Sequence, residues 1–398
     1  MKKLVLLLLA ILLMSGCNGK PSAKKITQTK EKALELIAKG DYQSAIDALT
    51  DLLEYDDEDK SLTYTLVDAY VGLENYPKAI EYLNGIDSED ETIKERIFTY
   101  SVAEQFKSLA TVDFSTLKDL KVDYLQNFND KYILFKSGDK YGLLNRNYEI
   151  ALAAKYYGII IGDGYNRGKI MVFKSTKLVK KHYEKDAIVL DGNLKETKKK
   201  GSNIGYCSLI GYLIDTTNKN KFYDASMKPG CDKGDWDFEK NVKLVKSLDK
   251  DMVIPAAKVV HSWGDGWWYE YAETDYLVKA SDLSIHKLTG NFASYNYEDI
   301  PPIKEGMIPV YKKNKCGYYN TEPTLVVDFT YDTFSYNMLP QCSNFSSGYA
   351  VVRANDKYGI IDKDGKLIIP SEFEGLTDIV NGEFLILYQG RVGIGKLK

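Results

Sequence analysis

Histidine is scarce in this chain of 398 residues, with His182, His261 and His286 its three copies, and so few groups can trade a proton near neutral pH. The signatures that would organise such a group are missing too: there is no Gly-x-Ser-x-Gly elbow, no His-Glu-x-x-His pair and no cysteine–histidine dyad. Cys-x-x-Cys pairs are absent, which argues against a zinc site. Neither sign of charge dominates. The 53 basic and 56 acidic residues leave a net charge of −3, too small a field over the whole molecule to gather nucleic acid. Asp362-Lys363-Asp364-Gly365-Lys366 opens like a calcium loop but lacks the later glutamate, and Asp-Gly between apolar strands is a hairpin signal. The glycine-rich stretch Gly162 to Gly168 has no strand-to-helix context that would cradle a phosphate. No enzyme, cofactor or bound metal is therefore expected. The catalytic arrangement left open is a pair of carboxylates facing across a cleft, and the acidic residues of this chain fall mostly in turns.

Long apolar runs are also rare. Leu4 to Met14 is the marked exception, and it follows Lys2 and Lys3 and precedes Ser15-Gly16-Cys17. Its length is about half of the roughly 20 residues that cross the hydrocarbon core, so it predicts an export signal that is removed rather than a permanent span. Leu13-Met14-Ser15-Gly16-Cys17 resembles the lipobox of bacterial lipoproteins, with methionine where leucine is usual. That resemblance implies cleavage before Cys17 and a diacylglyceryl group on its thiol, whose two chains anchor stably where one would be marginal. Residues 1–16 are then a signal peptide and 17–26 a lipidated tether. The expected location is extracytoplasmic, held to the cell membrane by lipid.

From residue 27 to about 115 apolar residues recur at helical spacing: Ala33, Leu34, Ile37 and Ala38, then Ala45, Ile46, Leu49, Leu52 and Leu53 beyond a break at Gly40-Asp41-Tyr42. Tyr42, Ala45, Ile46 and Leu49 return as Tyr76, Ala79, Ile80 and Leu83, each at an offset of 34 residues. The repeated pattern resembles the tetratricopeptide repeat. Two repeats need a neighbour to bury their open face, and Glu91 to Leu109 is expected to cap them, with Thr111-Val112-Asp113-Phe114 a loop. The resemblance implies a groove for a protein or peptide partner.

Residues 120–398 alternate apolar and polar positions between Gly, Asn and Asp turns, the mark of an all-β domain. Gly306, Cys316-Gly317, Asn320, Asp328 and Tyr331 are followed 42 residues on by Gly348, Tyr358-Gly359, Asp362, Pro370 and Phe373. Asp139 to Asn145 matches Asp356 to Asp362, and Tyr156 falls where Phe373 does. These units resemble the WG repeat of bacterial surface proteins, with tyrosine or cysteine where tryptophan is usual. The length accommodates about six or seven units, which suits a β-propeller, with an open β-solenoid as the alternative. The expected fold is thus a short tetratricopeptide-like helical array followed by an all-β repeat domain. The glycine of each pair is expected to let neighbouring chains approach closely.

Besides Cys17, four cysteines remain: Cys207, Cys231, Cys316 and Cys342. Export permits disulfides among them, and free buried thiols are the alternative. His261, Trp263, Trp267 and Trp268 form an aromatic cluster that would stack on sugars or grip a peptide if exposed, or pack a core if not. Two functions follow: a membrane-anchored interaction or scaffolding protein, or a carbohydrate or cell-wall binding lipoprotein using the tryptophans.

Overall fold

A computed structural model describes residues 22–53, 60–86, 89–129, 131–161, 169–176, 187–200, 210–215, 221–226, 242–244, 253–261, 269–279, 284–292, 303–336 and 339–398. The chain divides into two compact units, Met1–Asp113 with Lys398, and Phe114–Leu397.

Among the described residues the first unit carries five helices: α1 (Ala23–Ala38), α2 (Tyr42–Leu53), α3 (Lys60–Gly72), α4 (Tyr76–Asn84) and α5 (Glu91–Phe106). Short polar side chains start four of them. Ser22, Asp41, Asn75 and Asp90 accept from the backbone N–H of Lys25, Ser44, Lys78 and Thr92, satisfying donors that the first helical turn leaves open. The Ser22 cap extends α1 back over Ala23 to Ile26, which the sequence assigned to the tether. Ala33, Ala45, Ala69 and Ala79 are fully buried, so the helices meet closely over a core of Leu49, Leu62, Leu66 and Leu83. A Cβ at Gly72 would collide with the ring of Tyr42, which shows how the tyrosine wedges against the following repeat. The cap is present as α5, which buries Ile93, Phe98, Val102 and Phe106. Ala110–Asp113 is a strand and not the expected loop; its β-branched Thr111 and Val112 favour extended backbone.

The second unit is a succession of antiparallel meanders. Tyr124–Asn127, Tyr132–Ser137, Lys140–Asn145 and Ile150–Tyr156 make the first, and Gly158–Ile161, Ile170–Phe173, Ile188–Leu190 and Glu196–Lys200 the second. A six-stranded middle sheet joins Ile210–Asp215 to Val253–His261 in parallel, the departure from an otherwise antiparallel pattern among the described pairs. Two further meanders follow, from Asn291–Phe292 to Leu325–Asp332 and from Tyr349–Ala354 to Leu367–Phe373, fused through the single pair Asp332↔Arg353. The last meander contains Gly375–Leu376, Glu383–Tyr388 and Arg391–Leu397.

The repeat chemistry is local and identical from copy to copy. At Asn145, Asp191, Asn320 and Asp362 one side-chain oxygen accepts two backbone N–H groups across the following turn, at 2.9–3.1 Å. That carboxylate is therefore committed in the Asp362-Lys363-Asp364-Gly365 segment, which is a turn. A Cβ at Gly142, Gly317 or Gly359 would lie 2.5, 3.0 or 2.6 Å from the carbonyl oxygen of Leu152, Val327 or Ile369, closer than side-chain atoms sit. The ladder bulges at the same place in each copy. The residue before each glycine faces the closing aromatic of its own unit: Tyr141↔Tyr156, Cys316↔Tyr331 and Tyr358↔Phe373. Carboxylates then clasp each strand end to a neighbouring turn, Asp123 to the Gly138 N–H at 2.7 Å, Asp332 to that of Asn355 at 3.2 Å and Glu374 to that of Gln389 at 2.7 Å.

First and last meanders share a core, in which Val122, Leu125, Ile133, Phe135 and Leu144 pack with Leu385, Leu387, Val392 and Ile394. The Tyr148 hydroxyl adds a 3.0 Å hydrogen bond to Glu383. An open solenoid keeps its ends apart; these ends meet, and the architecture is propeller-like.

Candidate functional site

Two clusters of polar side chains stand out, one in each unit. In the helical unit, Tyr64 and Asp68 lie one turn apart on α3, and Arg96 and Tyr100 one turn apart on α5. The Arg96 guanidinium is 5.4 Å from the Tyr64 ring centroid and 5.7 Å from that of Tyr100. Its Nε donates to the Tyr100 hydroxyl at 3.1 Å, and Nη2 pairs with Asp68. Burial opposes the charge on Arg96, but Tyr100 and Asp68 more than offset it and its pKa rises. Tyr76 of α4 stacks on Tyr100 at 6.1 Å, and its hydroxyl is pushed up by burial and by Glu74 and Glu104. Arg96 is thus held in one rotamer by three side chains while keeping 24 % of its surface exposed. Tyrosine and arginine pre-ordered on a helix face are what binding hot spots are commonly made of.

In the β unit, Asp378 keeps some accessible surface yet is densely surrounded by protein. Its carboxylate takes hydrogen bonds from the side chains of Ser343 and Asn127, and the charges of Arg146 and Lys304 lie near it. Burial nevertheless wins, and its pKa is raised. Arg146 donates to Asn127 Oδ1 at 3.1 Å and to the Asn129 carbonyl. The fully buried Tyr318 donates to the Ser343 carbonyl at 2.9 Å, its hydroxyl pushed up by burial and by Asp378. The network links three meanders that are far apart in sequence. Chemically it is a single buried carboxylate with its hydrogen-bond donors already supplied. Among the described residues no group of three histidine, cysteine, aspartate or glutamate side chains is placed to hold a metal.

Of the residues that sequence patterns nominate, Cys316 and Cys342 are bonded to each other with their Cα atoms 5.7 Å apart. Both are buried. His261 ends the strand Val253–His261 and pairs with Tyr269 across a hairpin. Trp263, Trp267 and Trp268 lie outside the described residues, as do Cys17, Cys207 and Cys231. Arg96 and Asp378 were not nominated. For Asp378 a signal existed: Asn127, Asn344 and Asp378 each stand five residues before the strand that starts at Tyr132, Tyr349 or Glu383. Arg96 carries no such mark, because its importance comes from Tyr64 and Asp68, on another helix.

Comparison with known proteins agrees with the repeats. Residues 36–93 match the tetratricopeptide repeat family, and residues 317–358 and 358–389 match the WG containing repeat. No curated protein matches the chain. Among solved structures it is similar to a streptogramin B lyase (12 % identity, TM-score 0.30, covering 73 % of this chain and 99 % of the other). It is similar also to the gluconolactonase XC5397 of Xanthomonas campestris (11 %, TM-score 0.30, 75 % and 93 %). A third is Hsv2 of Kluyvelomyces marxianus (10 %, TM-score 0.26, 68 % and 89 %). Likeness at this level carries no argument about chemistry.

Proposed function

We propose that this is an exported, lipid-anchored interaction protein without catalytic activity, whose helical unit holds a protein or peptide partner. The observation that carries the reading is Arg96, fixed between Tyr64 and Tyr100 and paired with Asp68 on the face where α3 and α5 meet. Such a surface offers a partner one desolvated cation and several flat rings at little cost in side-chain entropy. The WG-like unit supplies a rigid second body, since the side chains of its turn residues Asn145, Asp191, Asn320 and Asp362 are committed to backbone N–H groups. Export is supported by the lipobox-like Leu13-Met14-Ser15-Gly16-Cys17 and, independently, by the Cys316–Cys342 bridge, which needs an oxidising compartment to persist.

The test is affinity capture from membranes with the intact protein and with Arg96→Ala and Tyr100→Ala variants, after circular dichroism has shown that the helices are retained. Loss of a common partner from both variants is the expected result; an unchanged set of partners defeats the reading. Carbohydrate binding by Trp263, Trp267 and Trp268, in the connection that His261 and Tyr269 close, is the alternative function. Retention on a peptidoglycan or glycan matrix that a Trp267→Ala, Trp268→Ala variant loses would favour it.

A further inference from the structure

The second meander ends in a strand unlike its counterparts. Glu196–Lys200 reads Glu-Thr-Lys-Lys-Lys, is the outermost strand of its sheet, and exposes Lys198, Lys199 and Lys200. Lys195, immediately before it, is also exposed. The ladder to Ile188–Leu190 bulges within this strand, between the pairs Leu190↔Glu196 and Ile188↔Lys200, and all three lysines are exposed. Tyr156, in the outer strand of the first meander, donates to Glu196 at 2.8 Å, and that strand adds the exposed Lys155. Lys174 joins the group, 2.6 Å from Glu196. The one acidic side chain within this strand is therefore already engaged, while lysines surround it.

Lysines at a sheet edge commonly serve to discourage strand-to-strand aggregation. If that were their purpose here, the equivalent strands should carry them too. Leu367–Phe373, likewise outermost in its sheet, contains no lysine, and Ile150–Tyr156 contains one. Among the described strands Glu196–Lys200 carries the most lysines, in a chain whose net charge is −3.

We infer that this lysine edge is a contact surface for the phosphate-bearing headgroups of an anionic bilayer. The inference rests on the lipid-anchor reading to the extent that tethering keeps such a surface within reach, where individually weak charge contacts add up. Several exposed lysines spread over adjacent strands match a plane of phosphates better than a single anion.

The experiment uses the mature chain from residue 17 carrying Cys17→Ala, so that no acyl chain contributes, and measures co-sedimentation with vesicles of phosphatidylcholine alone or mixed with phosphatidylglycerol. Binding to the anionic vesicles at low salt, lost at high salt, is expected. Each lysine removed should weaken it about fivefold, so Lys198→Gln, Lys199→Gln, Lys200→Gln together weaken it roughly a hundredfold. The triple Gln variant keeps the strand polar, and an unchanged thermal midpoint confirms that it is folded. A control with Lys312→Gln, Lys313→Gln and Lys366→Gln removes the same charge elsewhere and should bind nearly as the parent. Equal binding to both vesicle types overturns the inference, as does equal loss in the two triple variants, or binding to soluble polyphosphate but not to vesicles. Mass spectrometry of the native N-terminus tests the anchor separately, so the failure of one idea is not mistaken for the failure of the other.

Discussion

At the scale of single residues, the fold rests on a few positions where one atom more or less decides the outcome. Gly359 is such a position: a methyl group there meets the Ile369 carbonyl oxygen and the Ser371 backbone nitrogen. Gly359→Ala should cost about 1–3 kcal/mol through forced displacement of a packed strand. Gly192→Ala, with nothing within 4 Å and no unusual backbone angle, should be close to neutral. Thermal midpoints of the two variants check this, and an equal effect would show that close approach is not what the glycine is for. Asp378 supports a prediction of sign. Its folded pKa lies above the unfolded value, so the folded state holds the extra proton, and stability falls as pH rises from the ordinary aspartate range through the raised value. Asp378→Asn, neutral and similar in shape, should gain in midpoint relative to the parent at neutral pH and lose that advantage on acidification toward the ordinary aspartate range. Glu383 and Asp332 behave oppositely: Lys396 and Lys315 hold their carboxyl groups low, so their contribution is present at neutral pH and lost as pH falls through those depressed values. A midpoint difference for Asp378→Asn that does not change with pH would show that Asp378 does not titrate differently in the folded state.

Among elements, the disulfide takes the place of a ring. Cys316 stands where Tyr141 and Tyr358 stand in other copies, opposite Tyr331, and the bridge to Cys342 fills the space that an aromatic fills elsewhere. Its sequence separation is 26 residues, which in the chain-entropy account corresponds to about 3–4 kcal/mol. Reduction, or Cys316→Ala with Cys342→Ala, should therefore lower the thermal midpoint by several degrees, and scans with and without reductant measure it. No shift on reduction would mean that the bridge is dispensable. The helices and the clear β repeats were legible at this scale because their signals are periodic: the offsets of 34 and 42 residues survive as helix pairs and meanders. The repeat around Asp191 was not legible, because its strands Ile188–Leu190 and Glu196–Lys200 lack the aromatic-glycine pair and keep the turn and the bulge alone. The lysine edge escaped notice for a related reason: a net charge averages over a chain, and only folding shows which strand lies outermost.

At the scale of the whole molecule, circular closure could not be read from spacing, since a ring and a solenoid share the same repeat. It follows from contacts between residues more than two hundred positions apart, such as Tyr148 with Glu383. Closure makes the first and last meanders mutually dependent. Leu385→Ala, at a fully buried site in their shared core, should cost about 2–5 kcal/mol. It should speed hydrogen exchange in residues 132–145 as well as in 383–397. Exchange that quickens near residue 385 alone would argue for ends that are independent of each other.

The corner residues Asn145, Asp191, Asn320 and Asp362 each supply one acceptor oxygen, which amide and acid both provide, but at Asn145 the amide also donates to Glu149 at 2.8 Å. Exchange of Asn320 for aspartate should leave its corner geometrically intact while shifting the isoelectric point, whereas at Asn145 it would set a second carboxylate against Glu149. The amide is thus interchangeable with the acid at one corner and not at the other.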